Sequence, residues 1–135
     1  GMIRRRLLSF LFAVALAACG RDGSAKSYDA SFGTPIQLAP GDSALFAADE
    51  LEVRFTGIGS DSRCPTDVTC VWQGTVRVLL TIRSNRKETR HEADESNHVA
   101  VDGYTVIVLE TLPARGPQNQ RIAPADYRVT LKVMR

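Results

Sequence analysis

Apolar and polar residues alternate with a period of two over most of the second half of the chain. Such alternation is typical of a β-strand with one buried face, because successive side chains point to opposite sides of a sheet. The apolar positions are Leu51, Val53 and Phe55; Val76, Val78, Leu80 and Ile82; and Tyr127, Val129, Leu131 and Val133. We expect each set to face one core.

Three further segments extend this pattern. Residues 104–112 are apolar on both faces in their middle, which predicts a central strand. Residues 36–39 and 44–47 are short apolar pieces on either side of a Pro-Gly-Asp turn. No window after residue 18 that is long enough to count has a helical period, and only residues 124–126 could form a single helical turn. The pattern predicts an all-β fold, either one antiparallel β-sandwich of the immunoglobulin-like kind or a small barrel, with about seven strands.

The N-terminal segment has the organisation of an export signal. Gly1 precedes Met2 and is interpreted as a cloning remnant. Three arginines, residues 4–6, are followed by an apolar run over residues 7–17 that is too short to span a bilayer. Residues 1–18 are therefore predicted to be this remnant together with a cleaved signal peptide.

The signal ends in Leu16-Ala17-Ala18-Cys19, which resembles the lipobox of bacterial lipoproteins. The resemblance implies that Cys19 becomes the first residue of the mature chain and is fatty-acylated, which would anchor the protein to a membrane of the cell envelope. Gly20 in the next position favours the outer membrane, facing the periplasm. The alternative is an ordinary signal peptide with an incidental cysteine. Residues 19–33 are expected to form the lipidated cysteine and a flexible tether, and residues 34–135 the folded domain.

Charge gives no support to a nucleic-acid partner. Three of the 17 basic residues lie in the signal and none of the 15 acidic ones do, so the mature chain is close to neutral. No basic patch with interleaved aromatic residues is present. The basic character of the whole sequence therefore belongs to the signal.

Cys64 and Cys70 remain once Cys19 is assigned to lipid, and they form an even pair in an exported chain. We predict a disulfide that contributes about 2 to 2.5 kcal/mol, given the short loop that it closes. A zinc site or a redox pair is the weaker alternative, because ligand-rich neighbours and a C-x-x-C spacing are both missing.

The residues around this pair have two interpretations. In the first, Trp72 lies on the same face as Cys70 and covers the disulfide within the core. In the second, Asp61, Arg63, Trp72 and Gln73 form an exposed recognition rim on a rigid loop. The first interpretation is favoured, and the second stays open.

Residues 84–98 are almost entirely polar and are expected to form an exposed hairpin arm with an acidic loop. His91 and His98 flank Glu92, Asp94 and Glu95, but this spacing matches no metal-ligand signature. We therefore predict a solvated loop, no metal site and no cofactor. No G-x-S-x-G elbow or phosphate-binding glycine loop is present either, so an enzyme is not expected.

Three motifs together resemble a recurring type of small exported bacterial β-domain. They are Asp61-Ser62-Arg63-Cys64-Pro65, Cys70-x-Trp72-x-Gly74 and Asp126-Tyr127-x-Val129-x-Leu131, within residues 34–135. This resemblance implies a shared fold and no particular activity. Lysozyme-inhibiting lipoproteins are similar in architecture, but their Trp-x-x-Gly motif is one residue longer than Trp72-Gln73-Gly74.

The functional expectation is a lipid-anchored envelope module that binds a protein or extended peptide through loops or a free sheet edge. The alternative is an inhibitor of a secreted hydrolase, such as a lysozyme or a protease. A small-ligand or metal carrier is the third possibility.

Overall fold

The computed structural model describes residues 25–135, and these fold into nine β-strands in two sheets. The strands are β1 (Ser27–Asp29), β2 (Ile36–Leu38), β3 (Ser43–Phe46), β4 (Leu51–Asp61), β5 (Val76–Ser84), β6 (Lys87–Ala93), β7 (Val99–Val101), β8 (Tyr104–Leu112) and β9 (Arg128–Met134). The first sheet has the order β1-β3-β4-β5-β6 and the second β2-β9-β8-β7. The all-β prediction is confirmed, and the sheets do not close into a barrel.

Among the strands of residues 25–135, all pairs are antiparallel except one. β1 runs parallel to β3, with Ser27 beside Ser43. The strand number exceeds the expected seven because β1 and β7, of three residues each, carry no usable alternation.

The core lies between the inner faces of the two sheets. Every apolar residue that the period of two assigned to the core is buried there, with at most 7% of its surface exposed. The other buried core residues are Leu38, Ala44, Phe46, Ala93, Val99, Val106 and Val108. β8 lies between β7 and β9, as its apolar middle predicted.

The turns follow the local chemistry of the sequence. Asp42 accepts hydrogen bonds at its two carboxylate oxygens from the backbone N–H groups of Lys26 and Ala39, at 3.2 and 3.0 Å. Asn85 and Arg86 adopt positive φ angles of 51° and 62°, as in the two-residue turns that match the twist of a hairpin. The predicted hairpin arm is thus present as β5 and β6, and residues 124–126 form the expected single helical turn.

The folded chain begins earlier than the predicted boundary at residue 34. β1 lies within the segment expected to be tether, and Phe32 packs between Phe46 and Tyr104 at ring-centroid distances of 5.3 and 5.6 Å. The guanidinium of Arg135 lies 4.5 Å above the Phe32 ring. The tether prediction is therefore wrong for residues 27–33. The signal peptide and Cys19 lie outside the described residues.

Within residues 25–135, no helix combines the length and the hydropathy needed to cross a bilayer.

Candidate functional site

The most unusual surface feature is the connection between β4 and β5, residues 62–75, which we name the stapled loop. Cys64 and Cys70 form the predicted disulfide, with their Cα atoms 5.9 Å apart. At the base of the loop, Ser62 donates its N–H to the Thr75 carbonyl at 2.9 Å, and Cys64 donates to the Gln73 carbonyl at 3.1 Å. Backbone hydrogen bonds therefore close the base of the loop, in addition to the disulfide.

An ion pair fixes the entrance to the stapled loop. Arg63 donates from Nε and Nη2 to the two carboxylate oxygens of Asp61, at 2.9 and 2.8 Å. The Arg63 Nη1 donates to the carbonyls of Thr111 and Pro113, at 3.3 and 3.0 Å, at the C-terminal end of β8 and just beyond it. The Tyr127 hydroxyl donates to Asp61 Oδ2 at 2.9 Å. These contacts join the loop of the first sheet to two segments of the second.

The charges of this network are mutually stabilised. Burial by itself raises the pKa of the Asp61 carboxyl, but hydrogen bonds from Arg63 and Tyr127 outweigh burial and leave that pKa below its ordinary value. Burial, together with the hydrogen bond to Asp61, raises the pKa of Tyr127. Asp61 and Arg63 side chains are only 13% and 19% exposed. Both residues therefore hold the fold together and leave little surface for a partner.

Val71 and Trp72 form the apolar tip of the stapled loop and, unlike Asp61 and Arg63, are exposed. Val71 is 89% exposed and Trp72 is 83% exposed. The prediction that Trp72 covers the disulfide in the core is wrong. β5 begins only at Val76, and Gly74 has a φ of 68°, so the alternation of a strand does not extend back to Trp72.

Gly74 is required for this path of the chain. A Cβ atom at that position would overlap the carbonyl group of Ser62 on the opposite side of the loop. The positive φ adds a second cost for any residue with a side chain. Gly74 therefore turns the segment that carries Trp72 away from the core.

A neighbouring segment, residues 113–123, braces the stapled loop from the second sheet. Thr66 donates its N–H to the Gly116 carbonyl at 3.1 Å, and Gln118 donates its N–H to Asp67 Oδ1 at 2.8 Å. These contacts had no visible signal in the sequence. Of the four residues in the predicted rim, only Trp72 and Gln73 are exposed, and Val71 joins them in place of Asp61 and Arg63.

The histidine-containing segment does not gather ligands for an ion. His91 is half-buried on β6, with its Nε2 2.6 Å from Thr89 Oγ1, whereas His98 is exposed. Asp94, predicted to lie in a solvated loop, is buried and accepts hydrogen bonds from the N–H groups of Ser96 and Asn97. No group of three or more His, Cys, Asp or Glu residues able to hold a metal occurs within the part of the chain that the structure describes.

An open groove of about 670 Å³ lies on the outer face of the first sheet, bordered by Arg54, Thr81, Arg90 and Glu92. Arg54 already donates to Ser43 and Glu52, and Glu92 pairs with Arg77. Because Arg54 and Glu92 have partners within the protein, their charges give little support to a small-ligand carrier.

Comparisons with protein-family models, curated proteins and solved structures found no match for this chain. Function is therefore inferred from the geometry of the stapled loop.

Proposed function

We propose that the protein is a lipid-anchored module of the bacterial cell envelope that acts by binding, with the stapled loop as its binding element. The observation that supports this is the exposure of Val71 and Trp72 on a loop held by a disulfide, an ion pair and a bracing segment. The anchor is proposed from the lipobox at Cys19.

Exposed tryptophan is uncommon on a surface that has no partner, because its ring can remove a large apolar area from water. Full burial of 150–250 Å² corresponds to about 4 to 6 kcal/mol before the costs of association. Tryptophan is also enriched among the few residues that dominate binding energy. A rigid loop loses little conformational freedom on binding, so this part of the cost of association is small.

The loop is a better candidate than a free sheet edge. Four residues of edge strand β6 are exposed, and all four are charged: Lys87, Glu88, Arg90 and Glu92. Charged side chains along an edge are typical of strands that avoid pairing with other chains. An extended peptide would therefore find more apolar contact at Val71 and Trp72.

Site-specific photocrosslinking in intact cells tests the proposal. A diazirine amino acid at Gln73, next to the apolar tip, should give adducts in the native envelope. The matched control is the same probe at Arg86, in the hairpin turn at the opposite end of the first sheet. Equal labelling from both positions, or none from Gln73, would contradict a binding role for the loop.

Inhibition of a secreted hydrolase is the second candidate, and the rigidity of the stapled loop favours it. A preformed loop with an apolar tip can enter an enzyme cleft at low entropic cost. Purified protein should then inhibit a lysozyme or a protease, and Trp72→Ala should abolish the inhibition. Unchanged inhibition by Trp72→Ala would exclude the loop as the inhibitory element.

A further inference from the structure

The path of the chain indicates which end of the domain faces the proposed anchor. β1 is parallel to β3 and β3 is antiparallel to β4, so the chain before Ser27 leads toward the Asp61 end of β4. That end carries the stapled loop. Lys26 is fixed on this path, because its carbonyl accepts the N–H of Ser43 at 2.8 Å.

The remaining tether is long enough to reach from Cys19 to the described chain over the distance that separates this point from the stapled loop. Ala25 lies against Gly41, which donates its N–H to the Phe55 carbonyl, so the described chain starts level with the middle of β4. Two register shifts shorten β4 here, so Phe55 to Asp61 spans the four steps from Leu80 to Val76 on β5, about 13 Å. Residues 20–25, fully extended, reach about 20 Å, which is enough to cover this distance. A lipid on Cys19 would therefore hold the bilayer surface close to the level of the stapled loop.

The apolar tip has the chemistry of a membrane-interface contact. Tryptophan combines an apolar ring with an N–H donor and is enriched at the headgroup level of bilayers. Val71 beside it adds apolar surface without charge. Two residues would give weak binding alone, but an anchor with a short tether makes the contact intramolecular and raises its effective concentration.

We propose that the stapled loop docks on the lipid–water interface beside the anchor, with Val71 and Trp72 inserted among the headgroups. This inference rests on the proposed function, because it takes the same loop as the binding element and Cys19 as the anchor. It identifies the bound surface as lipid, in place of the protein or peptide expected from the sequence.

Trp72 is the only tryptophan of the chain, so its fluorescence reports on this loop alone. The full lipidated protein, purified from membranes, is reconstituted in phosphatidylethanolamine–phosphatidylglycerol vesicles with and without brominated acyl chains. We expect brominated lipid to quench Trp72. Iodide quenching should be severalfold weaker than for the same protein unfolded in guanidinium.

Two matched variants test the position of the contact. Val71→Asp should reduce quenching by brominated lipid, whereas Arg86→Asp, at the opposite end of the sheet, should leave it unchanged. Both sites are exposed, so thermal melting should show both variants folded.

The other outcomes are distinct. Shielding from iodide without bromine quenching would overturn the lipid inference and indicate a protein surface over the loop, leaving the proposed binding role intact. Free access of iodide without bromine quenching, or an unacylated Cys19 by mass spectrometry, would also overturn the inference. The crosslinking experiment at Gln73 then decides the binding role separately.

Discussion

Replacing Asp61 with asparagine is expected to destabilise the domain by about 2 to 3 kcal/mol. The substitution removes the charge that accepts from Arg63 and Tyr127 and leaves a largely buried guanidinium without its counter-ion. Hydrogen bonds to charged groups contribute about 1.5 to 3 kcal/mol, and removing one member of a fully buried ion pair costs about 3 to 5 kcal/mol. The expected loss of stability is smaller here because Arg63 keeps its hydrogen bonds to two carbonyl groups and remains partly in contact with solvent.

Thermal melting measures this loss as a decrease in Tm of about 10 to 20 °C for a domain of this size. The matched control is Glu92→Gln, which removes an ion pair with Arg77. The side chains of Arg77 and Glu92 are 59% and 56% exposed. Its effect should stay below about 0.5 kcal/mol, the range of surface ion pairs. Equal effects of the two substitutions would refute the structural role of Asp61.

A double-mutant cycle with Tyr127→Phe tests the contact between the sheets. Tyr127→Phe removes one hydrogen bond and should cost about 1 kcal/mol in the wild-type background. In the Asp61→Asn background, the loss of stability caused by Tyr127→Phe should be smaller by at least about 0.5 kcal/mol, because the acceptor of the hydrogen bond is already altered. Additive effects would show that the hydroxyl and the carboxylate do not interact.

The effect of Asp61→Asn should also depend on pH. Because the pKa of Asp61 is lowered in the folded protein, its contribution is fully present above the unfolded pKa of about 3.9 and is lost as pH falls through the folded value. The stability difference between wild type and Asp61→Asn should therefore narrow below pH 4. Guanidinium denaturation at pH 7 and at pH 3 measures it, and a constant difference would contradict the ionised network.

Three further predictions concern the loop and the anchor. Reduction of Cys64–Cys70 should cost about 2 to 2.5 kcal/mol in thermal or chemical unfolding, and free thiols at both positions in the protein isolated without reductant would contradict the disulfide. Gly74→Ala should lower Tm far more than Gly103→Ala, although both glycines have positive φ, because only Gly74 lacks space for a side chain; equal losses would contradict the steric reason. Cys19→Ser should abolish acylation, as measured by metabolic labelling with fatty acid, and persistent labelling would exclude this anchor.

The sequence predicts the sandwich well because the decisive signal is local. Val53 and Val129 face the core for the same reason, which is that neighbouring strand positions alternate between two sides of a sheet. The turn before β3 also has a local signal, because Asp42 accepts the N–H of Ala39 three residues earlier. Strand β1 cannot be predicted from such local signals, because its three side chains are all exposed and its position depends on backbone pairing with β3.

The candidate site is less predictable because it depends on contacts between distant parts of the chain. Tyr127 has an apolar ring that the pattern assigns correctly to the core, but its hydroxyl reaches Asp61, 66 residues earlier. The prediction that Trp72 covers the disulfide assumes a strand that begins at Cys70 and places both side chains on one face. The positive φ at Gly74 interrupts such a strand, and Trp72 is the most exposed aromatic side chain among residues 25–135.

The parallel strand β1 gives the domain a mechanical property when it is held from its N-terminus. Tension along the chain acts first on β1, whose exposed side chains add little apolar burial to its pairing with β3. Ala30 is the first residue that packs against the core, followed by Phe32 between Phe46 and Tyr104. Peeling residues 26–29 would lengthen the connection by about 13 Å and leave the other eight strands paired. Under tension from the N-terminus, β1 can therefore detach before the sandwich unfolds.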